Sequence, residues 1–130
     1  MSDTKKVAVL AMVPHAQPAD RGRMAHALHM ARDIKEGGGE LRFIFCGQGV
    51  EWLPQLTNPK REEEHAFIRH YGGLFDGVRE HVQACNFCCI RFEVREQVEA
   101  AGVPIRGEGR EHARLGDDVL DGWQMVSFGA

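Results

Sequence analysis

No apolar stretch in this sequence approaches the ~20 residues that a membrane-spanning helix needs, so no contact with a membrane is expected. Basic residues are in no surplus either: sixteen Lys and Arg stand against nineteen Asp and Glu, a formal charge of -3. A nucleic-acid binder normally concentrates positive charge on one face, so nucleic acid is not an expected partner. Internal repeats, low-complexity tracts and linkers are missing. The start, MSDTKK, is polar and leads straight into a strand pattern, so no signal peptide is expected and the expected setting is the cytoplasm. What is left is one domain over residues 1–130, with 43% hydrophobic and 27% charged residues, ordinary values for a globular fold. A chain of this length buries roughly two-thirds of its unfolded surface and needs no staple to hold its core.

Short apolar runs alternate with helical patterns. Residues 6–13 (KVAVLAMV) and 41–46 (LRFIFC) read as strands buried on both faces. Between them Met24, Ala27, Leu28, Ala31 and Ile34 form one helical stripe, with Asp20 as the expected N-cap and Gly37-Gly38-Gly39 as the stop. Gly47-Gln48-Gly49-Val50 reads as a turn, and Pro54, Asn58 and Pro59 mark an irregular connection. A helix over residues 61–80 follows, opened by Glu62-Glu63-Glu64 and interrupted at Gly72-Gly73. Residues 81–85 give a third strand and 86–101 a helical stretch with a break near Glu93-Val94. Residues 103–105 give a fourth strand at a sheet edge, 112–121 a short helix and 124–128 a last strand. The expected fold class is α/β: a three-layer sandwich with a mostly parallel sheet of about five strands and helices on both faces.

In open parallel sheets ligands bind beyond the carboxyl ends of the strands. Those ends deliver His15, Cys46 with Gln48, Cys85 with Asn86 and Cys88, and Glu108, and His112 lies close to the last of them. Four cysteines in a cytoplasmic chain are expected as thiols. Three of them, Cys85, Cys88 and Cys89, fall within five residues. Cys85 falls at a strand-to-helix junction, where free N–H groups favour an anion and lower a thiol's pKa. Cys88 is one helical turn away, in a C-x-x-C spacing compatible with a reversible disulfide. Cys85 reads equally as a small buried hydrophobe, and Cys89 as core. Structural zinc wants four ligands, usually as two close pairs, and only one pair is present, so no metal is expected. Gly47-Gln48-Gly49 lacks the rest of a dinucleotide or phosphate fingerprint. His26, His29, His65, His70 and His81 read as solvated residues.

These residues resemble the DsrE/DsrF-like family of sulfur-relay proteins. The resemblance runs from KVAVLAMV and RGRMAHALHMARDIKEGGG through GQGVEWL and ACNFCCIRFEV to the tail AGVPIRGEGREHARLGDDVLDGWQMVSF, which is similar to that of small stand-alone members. It places Cys85 where relay subunits carry sulfur, and it implies a persulfide carrier or sulfurtransferase-like protein without a cofactor. The implied partners are donor and acceptor proteins or small sulfane-sulfur compounds, and the implied assembly is a homo-oligomer, trimer or hexamer. Stand-alone members often show a histidine at the position of His112. Relay subunits have small apolar residues where this chain has Cys88 and Cys89. That departure opens a second reading, a thiol–disulfide redox protein using Cys85 and Cys88; a third, in which the cysteines only pack, is a non-catalytic oligomeric ligand-binding domain. Trp52, Leu53 and Leu56, in the irregular segment, are expected to be exposed until a partner covers them.

Overall fold

The structure, a computed structural model, describes residues 4–15 and 17–129; the first half of the polar start, Met1–Asp3, lies outside the described residues. Five strands, β1 (Lys6–Ala11), β2 (Glu40–Phe45), β3 (Val82–Cys85), β4 (Ile105–Arg106) and β5 (Gln124–Phe128), form one parallel sheet in the order β4-β3-β2-β1-β5. The helices are α1 (Pro18–Glu36), α2 (Leu53–Leu56), α3 (Ala66–Val78), α4 (Asn86–Arg91), α5 (Arg95–Ala100) and α6 (Leu115–Leu120). The α/β class and the five strands are as the sequence predicts.

Crossover handedness explains how the layers fill. From β1 to β4 every step moves the same way across the sheet, so right-handed connections put α1 to α5 on one face. The return from β4 to β5 runs the other way and leaves α6 alone on the opposite face. Strand alternation follows this division. Val9, Ala11, Phe43, Phe45, Val82 and Ala84 join Met24, Leu28, Ile68 and Phe75 in the main core. Ala8, Leu10, Ile44, Cys46 and Cys85 face a second, smaller cluster with Ala113 and Trp123.

The predicted stripe of α1 is buried at Met24, Ala27, Leu28 and Ala31, but Gln17 is the N-cap. Asp20 instead accepts the Gln17 N–H from inside the first turn at 2.9 Å, because Pro18 already starts the helix. Residues 47–56 are helical rather than irregular: a 3-10 turn over Gly47–Trp52 runs into α2, with Pro54 tolerated near its start. Trp52, Leu53 and Leu56 are consequently buried, and the expectation that they await a partner is overturned. The indole N–H of Trp52 donates to the Val13 carbonyl at 3.0 Å.

The acidic run does not open α3; Arg61–Glu63 is a separate 3-10 turn. Gly72 and Gly73 do not interrupt α3 either. The Arg61 side chain lies across Gly72, where a Cβ would collide with it, and pairs with Asp76 through two bonds of 3.0 and 2.6 Å. The break after α4 falls at Glu93, at φ 58°, as expected. β4 is the edge strand but lies one to two residues later than predicted. The last helix begins only at Leu115, since Arg114 takes a left-handed conformation at φ 52°.

Candidate functional site

Cys85 ends β3 and acts as the N-cap residue of α4, which sets Cys88 one turn further on. Cys46 follows β2, the neighbouring strand, and faces the same side of the sheet. Gly49 lets the following 3-10 turn settle against the end of β1, because a Cβ there would overlap the Ala11 carbonyl. That turn directs the Gly47 N–H to the Cys88 sulfur at 3.1 Å. From the other side comes the segment after β4, folded back through Gly107 at φ 105°. It is fastened by the Phe87 N–H donating to the Glu111 carbonyl at 3.1 Å and by the Asn86 amide donating to the Gly109 carbonyl at 2.6 Å.

Three sulfurs therefore meet. The thiols of Cys46 and Cys88 donate to the Cys85 sulfur and hold it well below the ordinary thiol range. Burial opposes this, while the backbone N–H groups of Cys88 and Ala113 assist it. The same contact with Cys85 pushes Cys46 and Cys88 well above their usual value, with burial adding to it. The cluster thus holds one negative charge, on Cys85, and two protons on its neighbours. Burial raises the Cys89 thiol to about 11, in keeping with its place in the main core.

A sulfur carrier needs its thiol within reach of other molecules, and Cys85 itself is closed to solvent. Cys85 is 2% exposed and Cys46 5%, and Cys88 is the half-exposed member. Neither of the two principal cavities is lined by a cysteine. The larger, about 860 Å³, lies between α2, α3 and α5 and includes Arg61, Arg69 and Arg79.

The other predicted pocket residues scatter. His15 turns to Gln55 at 2.5 Å and packs edge-on to Trp52, with His65 at 6.2 Å. Gln48, Glu108 and His112 are exposed. Asn86 is buried, and its Oδ1 lacks a hydrogen-bond partner. Half-buried His29, His65 and His81 depart from their solvated reading, and burial lowers the pKa of His65. Among the described residues no group of three or more His, Cys, Asp or Glu side chains is arranged to hold a metal ion.

Sequence reasoning missed the charged group beside the thiols. Asp118 is buried and is held by both Arg106 nitrogens, at 2.8 and 2.5 Å, and by Arg42 at 3.2 Å. Arg106 pairs in register with Cys85, and the Arg42 guanidinium covers the Trp123 ring at 4.1 Å. A signal existed, since Arg42 interrupts an otherwise apolar strand and a charge there needs a partner. The Gly47 and Ala113 amides, by contrast, are backbone groups with no side-chain signature.

No family model matches the chain. Over 105 residues it is 30% identical to MJ0733, an uncharacterized protein of Methanocaldococcus jannaschii, with 81% of this chain and 79% of that one covered. The chain belongs to the family of MJ0733. In fold the chain is similar to a solved structure, that of BT1422, a conserved protein of unknown function from Bacteroides thetaiotaomicron. It superposes at a TM-score of 0.60 over 95% of this chain and 94% of its own, at 19% identity. Among the described residues no helix of this family member is long and apolar enough to cross a membrane.

Proposed function

We propose that this protein handles sulfane sulfur, with the Cys85 thiolate as the nucleophile that accepts it and passes it on. One observation carries the reading: the Cys85 sulfur receives two thiol S–H groups and two backbone N–H groups, which keep it anionic at neutral pH. An added outer sulfur, itself a stronger acid than a thiol, would be held as an anion by the same donors. Cys88 is the half-exposed member of the cluster, and a donor would approach from its side. The resemblance to DsrE/DsrF-like relay proteins supports the same assignment, as do four free thiols suited to the reducing cytoplasm. No cofactor enters this chemistry. Val119 and Leu120, both exposed on α6, support assembly of copies into a trimer or hexamer, which light scattering measures.

Incubation with a sulfane-sulfur donor and intact-mass measurement test the assignment. One added sulfur atom is expected on the wild type and none on Cys85→Ser; an adduct that survives the substitution, or none at all, overturns it. The contact between Cys88 and Cys85 favours a second reading, a thiol–disulfide redox protein. That reading requires a readily reversible disulfide that is lost when either cysteine is replaced.

A further inference from the structure

The exposed side of α4, next to the half-exposed thiol, carries two large apolar side chains. Phe87 is 47% and Ile90 37% exposed. With Arg91 and Arg110 they line a cavity of about 150 Å³. Both arginines are exposed, and neither is engaged in an ion pair among the described residues. The walls are fixed by contacts already described, the Phe87 N–H on the Glu111 carbonyl and the Asn86 amide on the Gly109 carbonyl. The segment that carries Arg110 continues to Ala113, whose N–H faces Cys85, and Phe87 directly precedes Cys88. The same two segments, α4 and the loop after β4, therefore border both the groove and the thiol cluster.

From this arrangement we infer that the substrate reaching the thiol cluster is a small persulfide bearing carboxylates, its stem against Phe87 and Ile90 and its carboxylates toward Arg91 and Arg110. The inference rests on the sulfur-handling reading and names its substrate class. Size argues for it: the cavity is well below the roughly 300 Å³ at which drug-sized ligands are enclosed, so it receives a short stem. Charge argues for it as well, since two guanidiniums without a carboxylate partner among the described residues, Arg91 lying over the Phe92 ring at 5.8 Å, flank an apolar floor and match an anionic ligand, whereas the chain as a whole carries -3. A neutral donor gains only the apolar floor.

The transfer balances without another reactant. The Cys85 thiolate attacks the outer sulfur of R–S–SH, a new S–S bond forms on Cys85, and the donor's S–S bond breaks. The departing R–S⁻ takes the proton of the more acidic persulfide and leaves as R–SH, so the outer sulfur stays on Cys85 as an anion. Nothing is oxidised or reduced overall.

Initial rates of sulfur uptake by the full chain, followed by intact mass, test the inference with two probes. One is mercaptosuccinate persulfide, which carries two carboxylates on a short stem; the other is hydroxyethyl persulfide, whose short stem is uncharged. The wild type is expected to take sulfur faster from the first, by a ratio that shrinks as salt is added. In Arg91→Glu/Arg110→Glu that ratio should fall about tenfold, the effect of turning two near-surface attractions into repulsions. Arg91→Lys/Arg110→Lys should keep most of the preference, which separates charge from any change in folding. An unchanged ratio in the reversed variant, with sulfur still arriving on Cys85, overturns this inference alone. Failure of both donors on the wild type overturns the sulfur-handling reading and the inference with it.

Discussion

Along β2, Phe43 and Phe45 point into one face of the sheet while Arg42, Ile44 and Cys46 belong to the other, and the two sides differ in kind. The first face is a thick aromatic and aliphatic layer under five helices. Phe45 packs tilted against Phe43 at 4.8 Å and edge-on to Phe75 at 6.3 Å, with Met24 and Leu28 fully buried nearby. The second is roofed by α6 and two loops. Beneath them lie a buried carboxylate with two arginines, a tryptophan under a guanidinium, and three thiols in contact. One sheet thus separates its work: apolar burial on the first face supplies most of the stability, which leaves the second free to hold groups that are costly to bury.

The largest expected effect therefore lies on the first face. Phe75→Ala removes a fully buried ring and should cost about 3–5 kcal/mol in a denaturant titration. The pH dependence of Cys85 alkylation should keep its shape. A loss below about 1 kcal/mol would break the comparison, because the first face would then not be the stabilising one.

A smaller loss is expected from Asp118→Ala. Its carboxylate is buried but its arginine partners are partly exposed, so the cost falls between surface and buried pairs, about 2 kcal/mol. Hydrogen bonding from Arg106, helped by Arg42, holds the Asp118 carboxyl below the usual carboxylate range. With the folded pKa depressed, its contribution is present above the unfolded value of about 3.9 and is lost as pH falls through the folded one. Stability curves of the wild type and Asp118→Asn should therefore differ at neutral pH and converge in acid. Parallel curves down to the lowest pH would remove the ion pair from the account.

Much of this division was legible in the sequence. Continuous apolar strands and the stripe at Met24, Ala27, Leu28 and Ala31 announce a parallel sheet and its first helix. The junction at Cys85 follows from a strand ending where a helical pattern begins. Three things were not legible, for physical reasons. The burial of Trp52, Leu53 and Leu56 depends on a 3-10 turn that local propensity scarcely encodes. The dispersal of His15, Gln48, Glu108 and His112 depends on how loops leave the strand ends, which periodicity does not describe. The meeting of Cys46 with Cys85 depends on register: β2 and β3 pair Phe45 with Ala84, so the next residue of each strand, on the same face, is a cysteine.

That register gives the smallest effect on stability and the sharpest test of the second face. Cys46→Ala removes one buried sulfur and should cost about 1 kcal/mol or less. Its consequence for Cys85 is larger, because Cys46 is the foremost donor keeping that sulfur anionic. In the wild type, alkylation of Cys85 followed by peptide mapping should be nearly independent of pH between about 6 and 9, whereas an ordinary thiol titrates near 8.5. A depressed pKa keeps the thiolate fraction close to one there, and reactivity drops only as acid protonates it. Without Cys46 the Cys85 pKa should move up toward the ordinary value, so that the rate rises with pH in the alkaline part of the range. Cys88→Ala should act in the same direction and more weakly, since its donation ranks second. If both variants leave the flat profile intact, the negative charge is not shared through thiol contacts, and the two faces of the sheet differ in packing alone.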